Sequence, residues 1–448
     1  MHSETIWIGC GAGFSGDRLD SALPVVRALK TRSGAKALIF ENLAERTMAF
    51  AQMAKRADPH KGYEPLLEAE LMPILADCLE SGITIVGNFG AANPLAAAQA
   101  VRLMAANCGF AAPVIATVVG DELNYDTVQP LLPVGDKYCT GERFVSANAY
   151  QGAFEIAQAI AHGADIVITG RVADSALVLG PAIAHFGWQR DAWDLLAAGT
   201  MAGHLLECGA QITGGYFCDP GKKEVPNLAQ VGYPLAQIFP DGTCVVTKPQ
   251  GTGGAVTLQT VTEQLLYEIH DPSAYINPDV VADISNAFLE QVAQDTVKLS
   301  GVRGHRRPSH LKANVYFAGG WIGEGEISYA GINAEARARL AMEILRARLP
   351  RELVPRFDLI GVCSIMGDDR GRALASSPSG YAQDLRVRVA AAHDEQHIVD
   401  RLLQEVNALY TAGPAGGGGV RTSKRQRLVM RSCQVPRDLA PAKFEILK

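Results

Sequence analysis

The first two fifths of the chain alternate short apolar, β-branched runs with longer amphipathic stretches. The short runs end at Gly, Pro or Asn and have strand length, whereas the longer stretches repeat apolar residues at helical spacing. This pattern predicts repeated βα units and therefore a mostly parallel sheet. The predicted strands cover residues 5–9, 36–40, 83–86, 114–119 and 165–169. The predicted helices cover residues 44–57, 63–80, 94–107, 148–161 and 174–209.

Beyond residue 214 the apolar runs become shorter and are punctuated by Gly and Pro. Two of them, residues 244–247 and 256–260, are predicted strands, and a helix is predicted near residues 262–270. After residue 350 the pattern becomes strand, strand, helix, strand. The chain of 448 residues also exceeds what one hydrophobic core usually organises.

These patterns predict an α/β fold with a doubly wound, mostly parallel, Rossmann-like sheet and a second, smaller α+β unit. We expect the parallel domain, with the functional site at its strand ends, in residues 1–210. A mixed α+β extension packed on it is expected in residues 211–350, and a smaller β-β-α-β unit in residues 351–448.

Composition narrows the range of partners. The net charge is −6 with 20% charged residues, so neither nucleic acid nor an anionic membrane surface is an expected partner. No apolar run approaches the length of a membrane span, and the first residues lack the basic region of a signal peptide, which predicts a cytoplasmic protein. The nine cysteines form no CxxC pair and no zinc-like Cys/His cluster, so they are expected to be reduced thiols. A homo-oligomer is expected for an enzyme of this size.

Polar side chains follow each of the five predicted parallel strands. Because ligands bind outside the carboxyl ends of strands in open parallel sheets, we expect these side chains to line a common crevice. The carboxylates are candidates for proton transfer, whereas the glycines, amides and guanidinium groups are candidates for holding an anion. The candidates are Gly13, Gly16, Asp17, Arg18, Asn88, Asn93, Asp121, Arg171 and Asp174.

Some of these residues have a structural alternative. Arg171 and Asp174 suit a salt bridge with a helix cap, and Asn88 and Asn93 suit turns that tolerate unusual backbone angles. The spacing of the aspartates does not require a hard-cation site, and no metal is expected.

Residues 11–16 match the pattern G-x-G-x-x-G after a strand, and Glu41 closes the next strand, where a ribose-binding acid would lie. This is the only feature that suggests a cofactor, and it makes an NAD(P)-dependent oxidoreductase one alternative. The charged segment after Gly16 suits a loop with a helix cap at Asp20 better than a helix that begins inside the glycines. An anion cradle that uses Arg18 is the other interpretation.

His204, Glu207 and Cys208 lie at positions i, i+3 and i+4 of a predicted helix and would share one face. Such a face suits proton transfer, or a Cys208 nucleophile that His204 activates. The alternative is a small buried cysteine beside an ordinary surface pair.

A glycine-rich loop follows the predicted strand 244–247. Lys248, Thr252, Gly253 and Gly254 suit contact with a phosphate or a carboxylate, or equally a plain hairpin turn.

Six motifs in order resemble those of the acyclic terpene utilisation family. They are GFSGDR at 13–18, NLAERTM at 42–48, GRVAD at 170–174, HLLECGAQ at 204–211, KPQGTGG at 248–254 and GWIGEG at 320–325. The resemblance implies bacterial catabolism of citronellol- and geraniol-type terpenoids through CoA thioesters. It implies no catalytic assignment.

We therefore expect an enzyme of lyase or hydratase type that acts on a branched CoA thioester or free carboxylic acid. Asp17, Asp174 or the His204–Glu207 pair would move protons, and Arg18, Arg171 and Lys248 would hold carboxylate or phosphate. The open alternatives are a hydrolase that uses Cys208, an NAD(P)-dependent oxidoreductase, and a non-catalytic acyl-CoA-binding subunit.

Overall fold

The protein is described here by a computed structural model that covers residues 5–378, 380 and 382–447. The chain divides into two compact units. The first contains Met1–Pro133, Val145–Val315 and Arg431–Lys448, and the second contains Val134–Phe144 and Tyr316–Met430. Residues 1–4, which entered the expectation of a cytoplasmic protein, lie outside the described residues. The division at residues 210 and 350 stays a prediction.

The strands and helices follow in chain order. The strands are β1 Ile6–Ala12, β2 Ala35–Phe40, β3 Ile83–Gly87, β4 Ile115–Val119, β5 Glu122–Leu123, β6 Phe144–Ala149, β7 Ile166–Thr169, β8 Leu235–Ile238, β9 Cys244–Thr247, β10 Tyr275–Ile276, β11 Val281–Asp283, β12 Phe288–Ala293, β13 Thr296–Ser300, β14 Arg303–His305, β15 His310–Ala330, β16 Arg356–Ile360, β17 Asp384–His393, β18 Gly418–Pro436 and β19 Lys443–Ile446. The helices are α1 Ala22–Lys30, α2 Glu45–Ala57, α3 Leu67–Leu71, α4 Leu75–Glu80, α5 Pro94–Asn107, α6 Tyr125–Val128, α7 Phe154–Ala161, α8 Ala176–Phe186, α9 Trp193–Glu207, α10 Leu258–Leu266, α11 Ala334–Arg348, α12 Arg372–Ser376 and α13 Gln396–Ala412.

The first unit is built on a mixed sheet of ten strands in the order β12-β13-β9-β8-β1-β2-β3-β7-β4-β19. The five predicted strands are its centre, where β1, β2, β3, β7 and β4 pair in parallel. Strands β8 and β19 pair antiparallel on either side of them. This arrangement confirms a mixed α/β fold.

The doubly wound, Rossmann-like arrangement is not confirmed. The parallel strands do not follow the order of two mononucleotide-binding halves, and half of the sheet is antiparallel. The antiparallel half comes from the part of the chain after residue 214, which pairs directly with β1 instead of packing on a finished sheet. Local apolar patterns predict strands, but they do not indicate which edge of the sheet a later strand joins.

Burial explains the central strands and the helices around them. All four residues of β7 are buried, as expected for a parallel strand covered on both faces. Helices α1, α4 and α5 pack against the parallel strands, and α7, α8 and α9 form a second packed set. Asn93 caps α5 and Pro94 is its first residue, where a missing N–H has no cost.

Two predicted elements are wrong. Residues 256–260 are not a strand, because Thr257 and Thr260 form a capping box that starts α10. The predicted helix 148–161 begins only at Phe154, and its first residues end strand β6. The second error concealed a strand end that carries part of the candidate site.

The second unit combines an antiparallel sheet with helices α11, α12 and α13. Strand β17 pairs antiparallel with both β15 and β16, and helices α11 and α13 pack against it. Its separate hydrophobic core includes Tyr329, Leu359 and Val389. The predicted order of strand, strand, helix and strand after residue 350 is present as β16, β17, α13 and β18, with the short α12 inserted. No helix in the described part of the chain is long and apolar enough to cross a bilayer.

One buried acid makes stability depend on pH. Glu70 is 3% exposed, and its Oε1 accepts a hydrogen bond of 2.8 Å from Asn42 Nδ2 while its Oε2 has no partner. Burial raises the pKa of Glu70 from 4.5 to about 7. The folded state therefore holds this proton in a pH range where the unfolded state has lost it, and stability falls as pH rises through 7.

We predict that Glu70→Gln removes this loss, because a glutamine keeps the acceptor and carries no charge. Between pH 5 and pH 8 the free energy of unfolding should fall by about 1–3 kcal/mol more in the wild type than in the variant. Urea unfolding at both pH values measures the difference. Equal pH dependence in the two proteins would show that Glu70 is ionised without cost.

Candidate active site

A cavity of about 700 Å³ lies in the first unit where loops from several strand ends meet. The loop after β1 supplies Gly13 and Asp17, and the segment after β2 supplies Glu41 and Glu45. The loop after β7 supplies Arg171 and Asp174, and the end of α9 supplies Glu207 and Cys208. Segments remote in sequence thus meet beside the parallel strands, but the loops after β3 and β4, which the strand-end argument also placed in the crevice, do not line this cavity.

Arg171 is the buried cation of this cavity. Its side chain is 3% exposed, one guanidinium nitrogen donates to the carbonyl of Leu43, and another pairs with Asp174. The guanidinium carbon also lies 4.1 Å from the centre of the Tyr150 ring. These contacts hold the guanidinium group in place because both of its terminal nitrogens have a partner.

Glu41 is held rigidly beside Arg171. Its Oε1 accepts hydrogen bonds of 2.8 Å from Asn88 Nδ2 and from the backbone N–H of Leu43. Burial raises the pKa of Glu41, although the charge of Arg171 and both hydrogen bonds oppose the shift. Asn88 itself does not line the cavity but orients this carboxyl group from behind.

Glu45 has the opposite environment. Burial would raise its pKa, but a 2.7 Å hydrogen bond from the Tyr150 hydroxyl and the positive charge of Lys312 lower it to about 2. Lys312 Nζ lies 3.4 Å from Glu45 Oε1. Glu45 is therefore a carboxylate at every physiological pH.

Asp174 shares the cavity with these acids. Enclosure in the cavity wall raises its pKa well above the ordinary value, Arg171 opposes this shift, and Glu41 and Glu207 add to it. Several carboxyl groups surround one guanidinium group, so full ionisation would leave uncompensated negative charge. The pKa values of Asp174 and Glu41 are therefore both raised.

His204 and Glu207 form a buried pair on α9. Their atoms Nδ1 and Oε1 lie 3.0 Å apart, and the residues are 1% and 7% exposed, so the alternative of a surface pair is wrong. His204 Nε2 and Glu207 Oε2 have no partner. Only Glu207 lines the cavity, and the Tyr275 ring packs 5.3 Å from the His204 ring.

Asp17 is used to shape its own loop. Its carboxylate accepts the backbone N–H groups of Gly13 and Arg18 at 2.9 and 2.8 Å, and the Tyr233 hydroxyl at 2.5 Å. Gly13 has to be glycine because a Cβ there would lie 2.5 Å from the backbone of Cys208. The loop after β1 is thereby held against the end of α9.

The remaining sequence candidates lie away from the cavity. Arg18 donates to the carbonyls of Leu228 and Ala229, and Asn93 caps α5. The loop after β9 is closed on itself, because Lys248 donates to the carbonyl of Thr252 at 2.9 Å. Candidates that do not line the cavity are Gly16, Arg18, Asn88, Asn93, Asp121, His204, Lys248, Thr252, Gly253 and Gly254.

No group of three or more His, Cys, Asp or Glu side chains in the described ranges is arranged to hold a metal. The three aspartates that the sequence offered for a hard cation are separated, because Asp121 lines a different cavity from Asp17 and Asp174. Helix α1 begins at Ala22, six residues after Gly16, so it does not start inside the glycines as the helix of a dinucleotide site does.

The family model described as "Acyclic terpene utilisation family protein AtuA" matches residues 6–446. The chain belongs to this family. The match covers nearly the whole chain and places the protein in acyclic terpene utilisation. No curated protein and no solved structure matches the chain.

The sequence analysis did not identify Glu45 and Tyr150, which both line the cavity. Glu45 lies in the motif NLAERTM. It falls in the first turn of a predicted helix, and the strand-end argument considers only the loops that follow strands. Tyr150 was missed because residues 148–161 were predicted to be a helix, whereas residues 148 and 149 end strand β6. The apolar and β-branched start of residues 144–149 was the available signal.

The geometry does not favour a Cys208 nucleophile. Burial raises the pKa of the Cys208 thiol, and the charge of Glu207 raises it further. His204 Nδ1 is bonded to Glu207 and does not bond Cys208. Thiolate formation, on which nucleophilic attack depends, is therefore suppressed.

We predict that Cys208 reacts with iodoacetamide at pH 7.5 at least about tenfold more slowly than the exposed Cys108, because alkylation requires the thiolate. Peptide mapping by mass spectrometry after timed quenching gives both rates. Preferential alkylation of Cys208 would restore the thiol-hydrolase alternative.

Proposed function

We propose that this protein adds water to, or removes water from, a branched carbon–carbon double bond of an acyclic terpenoid. The substrate would be carried as a CoA thioester or a free carboxylic acid, and the reaction would be of lyase or hydratase type. The family supports the terpenoid class, and the cavity supports the chemistry.

One observation carries the proposal: Glu45 and Asp174 share a cavity, yet their environments move their pKa values in opposite directions. A carboxyl group with a raised pKa beside a carboxylate that is ionised at neutral pH is the arrangement of a general acid and a general base. Hydration of an alkene needs both.

The charge of the cavity favours a reaction that develops positive charge. Four acidic side chains line the cavity with the single buried guanidinium group of Arg171, and they are Glu41, Glu45, Asp174 and Glu207. A developing enolate would lie among more carboxyl groups than cations and would be repelled by them. A developing carbocation would be stabilised by the carboxylates.

The steps balance as follows. The Asp174 carboxyl group gives its proton to the less substituted alkene carbon, which leaves a tertiary carbocation and an Asp174 carboxylate. Water then bonds to the cationic carbon while Glu45 accepts its proton. Proton exchange with solvent returns Asp174 and Glu45 to their starting states, and dehydration follows the same steps in reverse.

Aromatic side chains complete the cavity wall. Tyr150, Tyr233, Tyr267 and Tyr275 line it together with Tyr216. Their ring faces suit both an apolar branched chain and a cation that forms within it. Lys312, with 47% of its side chain exposed, and His310 are the groups available for the carboxylate or thioester end of the substrate.

The direct test incubates the purified protein with branched unsaturated terpenoid acids and their CoA thioesters in H₂¹⁸O. Mass spectrometry then follows the mass of one added water. We expect ¹⁸O at the more substituted carbon of a turned-over substrate. Tight binding of an acyl-CoA without ¹⁸O incorporation across the panel would instead support a non-catalytic binding subunit.

We predict that Asp174→Asn lowers kcat by about 10²–10⁴-fold, because the amide cannot supply the proton. The exposed Glu263→Gln serves as the matched acid-to-amide control and should retain full activity. Circular dichroism and the melting temperature check that Asp174→Asn is folded. A folded Asp174→Asn protein with wild-type kcat would exclude Asp174 as the acid.

We predict a one-sided pH profile for the wild type. Activity should fall as pH rises through the raised pKa of Asp174, because the acid loses its proton, and should not fall on the acid side until pH nears 2. Tyr150→Phe removes a hydrogen bond to Glu45, raises the pKa of Glu45 and should add an acid-side decline. Plots of kcat/KM against pH for both proteins measure this, and identical profiles would contradict it.

A further inference from the structure

A second cavity of about 230 Å³ lies in the first unit and shares no lining residue with the active-site cavity. We call it the β4 pocket, because Gly120 and Asp121 directly after β4 form part of its wall. Gln52 and Lys55 of α2 and Asn148 of β6 also line it, together with the start of α5.

Two buried polar atoms in this pocket have no partner. Asn148 is 2% exposed and Gln52 is 3% exposed, and neither Asn148 Oδ1 nor Gln52 Nε2 makes a hydrogen bond. Asn148 is held in place because its Nδ2 donates to Asp121 Oδ2 at 2.8 Å. An acceptor and a donor that are both buried and unpaired are costly unless a ligand satisfies them.

Asp121 adds a buried carboxyl group at the Asn148 end. It is 6% exposed, and its Oδ2 accepts only Asn148 Nδ2 and the backbone N–H of Arg171, at 3.1 Å. No cationic side chain in the described ranges forms an ion pair with it. Burial raises its pKa to about 6, so a cation would be a favourable partner.

Groups of the opposite chemistry also line the pocket. Helix α5 is fourteen residues long and begins there at Pro94, so its dipole favours negative charge, and the backbone N–H of Leu95 lies in its first turn. Lys55 is also present, with Nζ 3.0 Å from Glu122 Oε2. Gln52 supplies the unpaired amide donor.

We propose that the β4 pocket binds a small zwitterion of the size of an α-amino acid. The ammonium group of the ligand would bond Asp121 and Asn148 Oδ1. Its carboxylate would take the Gln52 amide and the N-terminus of α5. This site is separate from the proposed reaction and does not depend on it.

The position of the pocket gives it a route to the active site. Asp121 accepts the backbone N–H of Arg171, whose guanidinium group lies in the other cavity. Asp121 also lies where a side chain on Gly170 would be, since a Cβ at Gly170 would come within 2.5 Å of Asp121 Oδ1. A ligand on Asp121 therefore touches the residue that holds the start of the Arg171 loop.

Isothermal titration calorimetry of the full-length protein tests the proposal with glycine, L-alanine, methylammonium, acetate and potassium chloride. We expect one of the two amino acids to bind at one site, at least about tenfold more tightly than methylammonium or acetate, because only a zwitterion satisfies both ends. No binding of either amino acid at millimolar concentration would overturn the proposal. Equal binding of methylammonium or potassium would overturn it too.

Variants locate the site. Gln52→Glu is isosteric but replaces the donor with a negative charge, so it should weaken amino-acid binding by more than about tenfold. Asn148→Leu should do the same, and Gln158→Leu on the exposed face of α7 is the control. If Asn148→Leu does not fold, the affinity of Gln52→Glu alone tests whether the ligand binds in this pocket. Wild-type affinity in folded Gln52→Glu would place the ligand elsewhere and refute the pocket assignment.

Discussion

The buried guanidinium group of Arg171 is the charge on which the cavity depends. A fully buried cation is tolerated only where anions and acceptors surround it, and leaving such a charge unpaired typically costs about 3–5 kcal/mol. Leu43, Asp174 and the Tyr150 ring meet this requirement from three separate segments. The loops after β2, β6 and β7 are therefore held together by one side chain.

The same cation sets the protonation of its neighbours. One positive charge cannot keep every carboxyl group around it ionised, so the local contacts decide which acid holds a proton. Glu45 accepts the Tyr150 hydroxyl and lies beside Lys312, whereas Asp174 faces other acids. The proposed proton-transfer chemistry uses this asymmetry and needs no reactive thiol.

The sequence could predict where this site lies but not all of the residues that line it. The βα pattern is local, so it placed Asp17, Arg171 and Asp174 after strands, and parallel strands bring such loops to one edge. Helical spacing likewise placed His204 and Glu207 on one face. Burial of that pair is a tertiary property, which no spacing reveals.

The misses have specific physical causes. Lys248 and Arg18 have the side chains of anion-binding residues, but each donates hydrogen bonds to backbone carbonyl groups. Those carbonyl groups come into position only when the loops fold. Tyr150 was not predicted as a site residue because residues 148 and 149 were assigned to a helix, whereas they end strand β6. The antiparallel half of the sheet was not predicted, since edge pairing depends on long-range contacts.

The proposed mechanism requires that Asp174 holds a proton at neutral pH while it lies beside Arg171. Infrared difference spectroscopy between the wild type and Asp174→Asn at pH 7 tests it most directly, through the carbonyl stretch of a protonated carboxylic acid. The account predicts that this band is present in the wild type and absent from the variant. Detection of only a carboxylate band at this position would contradict the account.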